Sequence, residues 1–208
     1  KNEKSIMHIA GYNPLDISLN GTDSYYFTKV HQCWGWASWR RAWNNYTFNI
    51  SKDEYKRFIN SRKFRQFFSH IEERRYWKRV FREMTEHKID TWDYQWEFAI
   101  AKNMGFCINP CRNLVSNIGF STDALHTADL TSKNNNALRY EITEINHPDK
   151  IILNKELSDR ISEEHYNIPI HNLGKYYLQH IYRDFLLHPA KQFIKRFYKK
   201  NNSKGKIS

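Results

Sequence analysis

The chain has 208 residues, 33 Lys or Arg against 22 Asp or Glu, and a formal net charge of +11. That is enough chain for one domain with a real core. A mean hydropathy of −0.82, with no apolar run approaching membrane-span length, argues against a transmembrane segment in this sequence. The charge excess points to an anionic partner (a phosphate-bearing substrate, nucleic acid or a membrane surface) without choosing among them. The aromatic share of 16 % serves cores, and also clefts that take sugars or nucleotides. Cys33, Cys107 and Cys111 are odd in number and lack zinc-like spacing, which suits reduced thiols in a cytosolic protein. The chain opens on Lys1 rather than Met, so it reads as part of something longer.

In chain order, residues 6–10 read as a buried strand, closed by the turn residues Gly11 and Pro14. Residues 24–30, with Tyr25, Tyr26 and Phe27, predict a second strand. In the run Trp34-Gly35-Trp36-Ala37-Ser38-Trp39-Arg40-Arg41-Ala42-Trp43, Trp36, Trp39 and Trp43 are spaced for one face of a short helix. Trp39 and Trp43 are expected in the core, and Trp34 and Trp36 at a cleft. Gly35 would let a ligand or another chain segment pass close to the backbone.

Residues 51–84 predict a charged helix with Trp77, Val80, Phe81 and Met84 as its apolar stripe. Arg74, Arg75, Lys78, Arg79 and Arg82 around it are ordinarily a solvated face. Asp90 or Thr91 would cap a further helix on which Trp92, Trp96, Ala99 and Ile100 share a face. Asp93 then falls in the first turn, where the helix N-terminus stabilises an anion. Such an Asp is often no more than a favourable charge.

Residues 106–110 and 114–118 predict two short strands, and residues 119–127 a mobile loop ending near His126. A short helix is expected over 157–161 and a linker over 167–174. Residues 175–200 predict a basic amphipathic helix, broken at Pro189, which would suit an anionic membrane surface as well as a soluble tail.

Taken together, residues 6–13, Tyr25-Tyr26-Phe27, the run 34–43, Trp92-Asp93-Tyr94-Gln95-Trp96 and residues 113–120 resemble bacterial GT-A glycosyltransferases. These are nucleotide-diphospho-sugar transferases close to family 2, with a more distant similarity to the animal N-acetylglucosaminyltransferase that initiates complex N-glycans. The resemblance covers residues 6–162.

It implies an α/β fold: the acceptor-side, C-terminal part of a GT-A domain over 1–165, a mixed sheet with flanking helices, followed by a linker and helical tail over 166–208. It implies inverting transfer from a nucleotide-diphosphate sugar to a glycan or lipid-linked acceptor, in the cytoplasm or on the inner membrane face. Asp93 matches the general base. Trp34, Gly35, Trp36, Trp92, Asn117 and Gly119 match donor- and acceptor-binding positions. His126 matches a ligand of the divalent metal, Mn2+ or Mg2+. That metal's main Asp-x-Asp carboxylate site is missing from these residues and is expected upstream. A basic aromatic module for nucleic acid and an inactive transferase remnant are the alternatives. No nucleic-acid-binding signature supports the former.

Overall fold

The computed structural model describes residues 3–15, 23–116, 138–171 and 174. Asn117, Gly119, His126 and the expected basic helix over 175–200 lie outside the described residues. The chain divides into two units, Lys1–Ile168 and Pro169–Ser208.

The first unit is mixed α/β. Strand β1 (Ile6–Ile9) and strand β2 (Tyr25–Thr28) form where apolar and aromatic residues run together. Helices α1 (Arg40–Trp43), α2 (Lys52–Ile59), α3 (Arg62–Phe67), α4 (Ile71–Thr85) and α5 (Asp93–Lys102) follow. Strand β3 (Phe106–Pro110) and helix α6 (Lys155–Glu164) complete it. The sheet order is β1-β3-β2, with β3 parallel to β1 and antiparallel to β2.

Both sheet edges are covered, which removes the pairing hazard of open strands. Along β1, Ile9 and Ala37 exchange backbone hydrogen bonds of 2.9 and 2.8 Å, and Gly11 N–H donates to Gly35 O at 2.9 Å. Along β2, Asn154 N–H donates to Phe27 O and Ser24 N–H to Asn146 O. The Asn154 side chain then caps α6 by accepting from Leu157 N–H at 3.0 Å.

The large core gathers Phe58, Phe64, Phe67 and Phe68, the α4 stripe of Trp77, Val80, Phe81 and Met84, and Trp96, Phe98 and Ile100 from α5. Met7 and Cys107 join it from the sheet. Helix α5 is apolar nearly all round and is buried from Gln95 to Ala101, making it the central helix of this core. A smaller cluster joins Leu15, Tyr26 and Val30 to Leu157 and Ile161 of α6. The three cysteines form no disulfide.

Several local expectations are corrected. Residues 51–84 are three helices: Ser61 accepts the Phe64 N–H and restarts the chain as α3, and after a second break at 68–70 His70 is the N-cap of α4, its N–H donating to Glu73 Oε2 at 3.5 Å. Helix α5 is preceded by Trp92 at its N-cap, without a side-chain cap bond, rather than by Asp90 or Thr91. Trp34 and Gly35 form a turn and Ala37 bridges to Ile9, so the backbone of 35–37 is committed to the edge of β1. The helix after them therefore spans only Arg40–Trp43. Trp43 is 38 % exposed instead of in the core. Residues 114–116 form no strand: Leu114 N–H reaches back to Gly11 O, and the Val115 side chain wedges against Gly11 and Gly35.

One buried ionic cluster joins three elements. Lys29 Nζ lies 2.7 Å from Glu73 Oε2 and 4.0 Å from Asp159 Oδ1, all three side chains being nearly inaccessible. Ser162 donates to the other Glu73 oxygen at 3.1 Å, and His70 Nε2 lies 3.1 Å from Asp159 Oδ2. Breaking such a pair from one side strands a charge away from water. Lys29→Met is therefore expected to lower the unfolding free energy by about 3–5 kcal/mol. In chemical denaturation, adding Glu73→Gln to it should recover part of that loss.

Candidate functional site

Three segments meet around His8. The indole N–H of Trp96 can only donate, and it donates to His8 Nδ1 at 3.1 Å. His8 therefore carries its proton on Nε2, which donates to Gln32 O at 2.9 Å. Burial drives the His8 pKa down to about 3, with neighbouring His31 pushing the same way. Beside it, His31 Nδ1–H donates to Glu97 Oε2 at 2.6 Å, again with both side chains buried. The strand β1, the segment after β2 and the first half of α5 are thus joined by hydrogen bonds.

The His8 ring is also the inner end of an aromatic stack. Trp36 lies against it, with 5.6 Å between ring centroids and 11° between planes. Trp92 covers the far side of Trp36 at 4.9 Å and 25°. Trp43 packs at 5.0 Å from Trp96 and stacks on Tyr46 at 4.4 Å. Trp92 and Trp43 reach the surface, at 36 % and 38 % exposure. A wall of indole rings therefore runs from the core to solvent. Trp34 is half-buried and packs on Tyr12 at 4.6 Å, away from this stack's ring contacts.

Gly35 has a structural reason of its own. Its φ of +58° is one that side chains rarely adopt, and a Cβ there would stand 2.5 Å from Val115 Cγ1. The close approach that Gly35 permits in this structure is that of another chain segment.

Asp93 is the first residue of α5 and directly follows Trp92. Its side chain is half-buried; Oδ1 is shielded from solvent and has no hydrogen-bond partner within the protein. The field of the carboxylate is felt around it. The Cys33 thiol is pushed up to about 11, by burial first and Asp93 second, and the Tyr46 and Tyr94 hydroxyls are raised by burial with Asp93 contributing. Cys33 is accordingly a thiol at neutral pH rather than a nucleophilic thiolate.

Of the expected site residues, Asp93 directly follows Trp92, and Trp92 stacks on Trp36. The site adds Trp43, which was expected in the core, and Tyr46, His8, Gln32 and Gln95, which sequence reasoning passed over. The signal for His8 was available: a histidine inside an apolar strand must find buried polar partners. Gln95 sits within the Trp-Asp-Tyr-Gln-Trp motif but drew no reading of its own.

Among the described residues, no three His, Cys, Asp or Glu side chains converge to hold a metal ion. The resemblance places that metal's main carboxylates outside these residues, and His126 lies outside the described ones. An open groove of about 430 Å³ lies elsewhere, along β2, lined by Asp23, Tyr25, Phe27, Lys150, Ile152 and Asn154. It shares no residue with the Asp93 site. Among the described residues, no helix is long and apolar enough to cross a membrane.

No protein-family model matches the chain, and neither a curated protein nor a solved structure matches it.

The low His8 pKa makes stability depend on pH. Between the ordinary value of 6.5 and about 3, the unfolded chain binds a proton at this ring that the folded chain does not. Stability is therefore present above pH 6.5 and falls as pH drops through that window. His8→Asn is expected to be less stable at neutral pH but to lose stability less steeply on acidification. Urea titrations across the window check both signs.

Proposed function

We propose that this chain is the acceptor-side part of an inverting GT-A glycosyltransferase, with Asp93 as the general base. The observation that carries the reading is the shielded, unpartnered Oδ1 of Asp93 beside the solvent-reaching rings of Trp92 and Trp43. A buried carboxylate oxygen without a donor is costly unless a ligand supplies one, and a sugar hydroxyl does so. Indole faces suit the apolar C–H face of a pyranose ring, and their polar rims stay wet.

In this mechanism the acceptor hydroxyl hydrogen-bonds to Asp93 Oδ1. As its oxygen attacks the anomeric carbon of the donor from the face opposite the diphosphate, the proton passes to Asp93. The bond from the anomeric carbon to the diphosphate oxygen breaks, and that oxygen leaves with the electron pair. Configuration at the carbon inverts. Trp36, held between His8 and Trp92, fixes the plane of the aromatic wall, so that the ring arrives in one orientation. The His8 hydrogen bonds hold that assembly on the sheet.

The nucleotide-diphosphate sugar donor, a divalent metal bound through carboxylates beyond this chain and His126, and a glycan or lipid-linked acceptor belong to the same proposal. So do Asn117 and Gly119 as binding positions, and a place in the cytoplasm or on the inner membrane face through residues 175–200. A nucleic-acid module is less well supported. The exposed cations Arg75, Lys78, Arg79 and Arg82 lie on α4, Arg75 and Arg82 are paired with Glu72 and Glu86, and the exposed indoles lie on other elements.

Asp93→Asn keeps the shape and removes the proton acceptor. In the intact protein it is expected to lower kcat by a factor of order a hundred or more and to leave donor affinity unchanged. Steady-state kinetics with the nucleotide sugar as varied substrate reads both. A kcat near the wild-type value would remove Asp93 from the chemistry.

A further inference from the structure

Residues 52–88, which hold α2, α3 and α4, carry twelve Lys or Arg against six Asp or Glu. That excess of six is more than half of the +11 of the whole chain. Two of the six carboxylates are engaged away from these cations: Glu73 is buried against Lys29, and Glu54 Oε1 lies 2.6 Å from Lys102 Nζ. Among the described residues, three of the twelve cations (Arg75, Arg82 and Lys88) lie at ion-pair distance from a carboxylate, and nine do not.

The charge runs across the three helices. Trp77, Val80, Phe81 and Met84 turn one side of α4 into the core. Arg75, Lys78 and Arg82, at i, i+3 and i+7, share its exposed stripe with Ile71, itself 54 % exposed. The Tyr55 hydroxyl of α2 donates to Lys78 O at 3.1 Å, and Lys78 Nζ lies 5.9 Å over the Phe64 ring of α3. Lys56, next to Tyr55, and Arg62, Lys63 and Arg65, around Phe64, are exposed as well.

A helix side that only meets water is stabilised by carboxylates one turn from its cations. On α4 the one-turn neighbours Arg74 and Lys78, Arg75 and Arg79, and Lys78 and Arg82 are all like-charged, which works against the helix. An anionic surface laid against these helices relieves that repulsion. We propose that the outer face of α2, α3 and α4 docks on an anionic lipid bilayer surface.

What stands among the cations favours lipid over nucleic acid. Among the described residues of these helices the exposed large apolar side chain is Ile71, and no exposed aromatic ring offers a base a stacking face. An aliphatic side chain set among Lys and Arg suits a headgroup layer: it enters the acyl boundary while the long cationic stems keep their charges at phosphate level. The inference rests neither on the role proposed for Asp93 nor on residues 175–200.

The test is co-sedimentation of the intact protein with phosphatidylcholine vesicles, with and without about 30 mol % phosphatidylglycerol. Binding is expected to require the anionic lipid and to be lost in about 0.5 M NaCl. Lys56→Gln, Lys63→Gln, Lys78→Gln and Arg79→Gln should each weaken it about fivefold, and by more than about a hundredfold when combined. Lys4→Gln, Arg40→Gln, Lys150→Gln and Lys155→Gln, combined, remove the same charge from exposed positions elsewhere and should weaken it less than about threefold. Ile71→Gln should weaken it about three- to tenfold. Equal losses in the two combined variants would assign binding to net charge alone and overturn the proposal. So would undiminished binding in the first, absence of vesicle binding, or binding of mixed-sequence RNA or duplex DNA at lower concentration than the vesicles.

Discussion

A neutral, fully buried imidazole in the first unit sets the geometry of everything around it. His8 must be uncharged to accept from Trp96 while it donates to Gln32, and its burial ensures that it is. One ring thereby fixes three things at once. It sets the depth of α5 against β1, the path of the chain after β2, and the plane on which Trp36 and then Trp92 stack. Neither hydrogen bond is strong in net terms, but losing either partner would leave a buried polar group exposed to nothing that could satisfy it. That asymmetry, more than the bonds themselves, holds the site's elements in register.

The same logic applies to the other buried polar groups. Lys29, Glu73, Asp159 and His70 close on one another, as do His31 and Glu97, although Asp159 Oδ1, 4.0 Å from Lys29 Nζ, accepts no hydrogen bond. Buried polar atoms without a partner in the protein occur at several places, on Tyr26, Arg41 and Asn109 as well as around the first turn of α5. Asp93, Gln95, Thr91 and Gln32 each keep a shielded polar atom without a partner, alongside rings that reach solvent.

Periodicity made the bulk of the fold legible. The apolar stripe of α4, the apolar run of α5, and β1, β2 and β3 lie where the residue pattern puts them, because burial of large side chains dominates there. Helix ends were harder. Ser61 and His70 interrupt a continuous charged stretch as helix N-caps that do not alter its periodicity. The tryptophan run misled for another reason. Helical spacing was present, but the backbone at 35–37 is used to cover the edge of β1, a tertiary demand invisible in a local window. In the site, Asp93 and Trp92 were readable from a motif. Gln32 is distant in sequence from the helix it serves, and nothing short of the His8 bridge places it there.

The most direct measurement is a crystal structure of the intact protein with an acceptor oligosaccharide and an unreactive analogue of the sugar donor. The expected result is a sugar hydroxyl within hydrogen-bond distance of Asp93 Oδ1, with the ring lying against Trp92 and Trp36. An oligosaccharide seated instead in the groove along β2, leaving Asp93 untouched, would contradict the assignment of this carboxylate as the base.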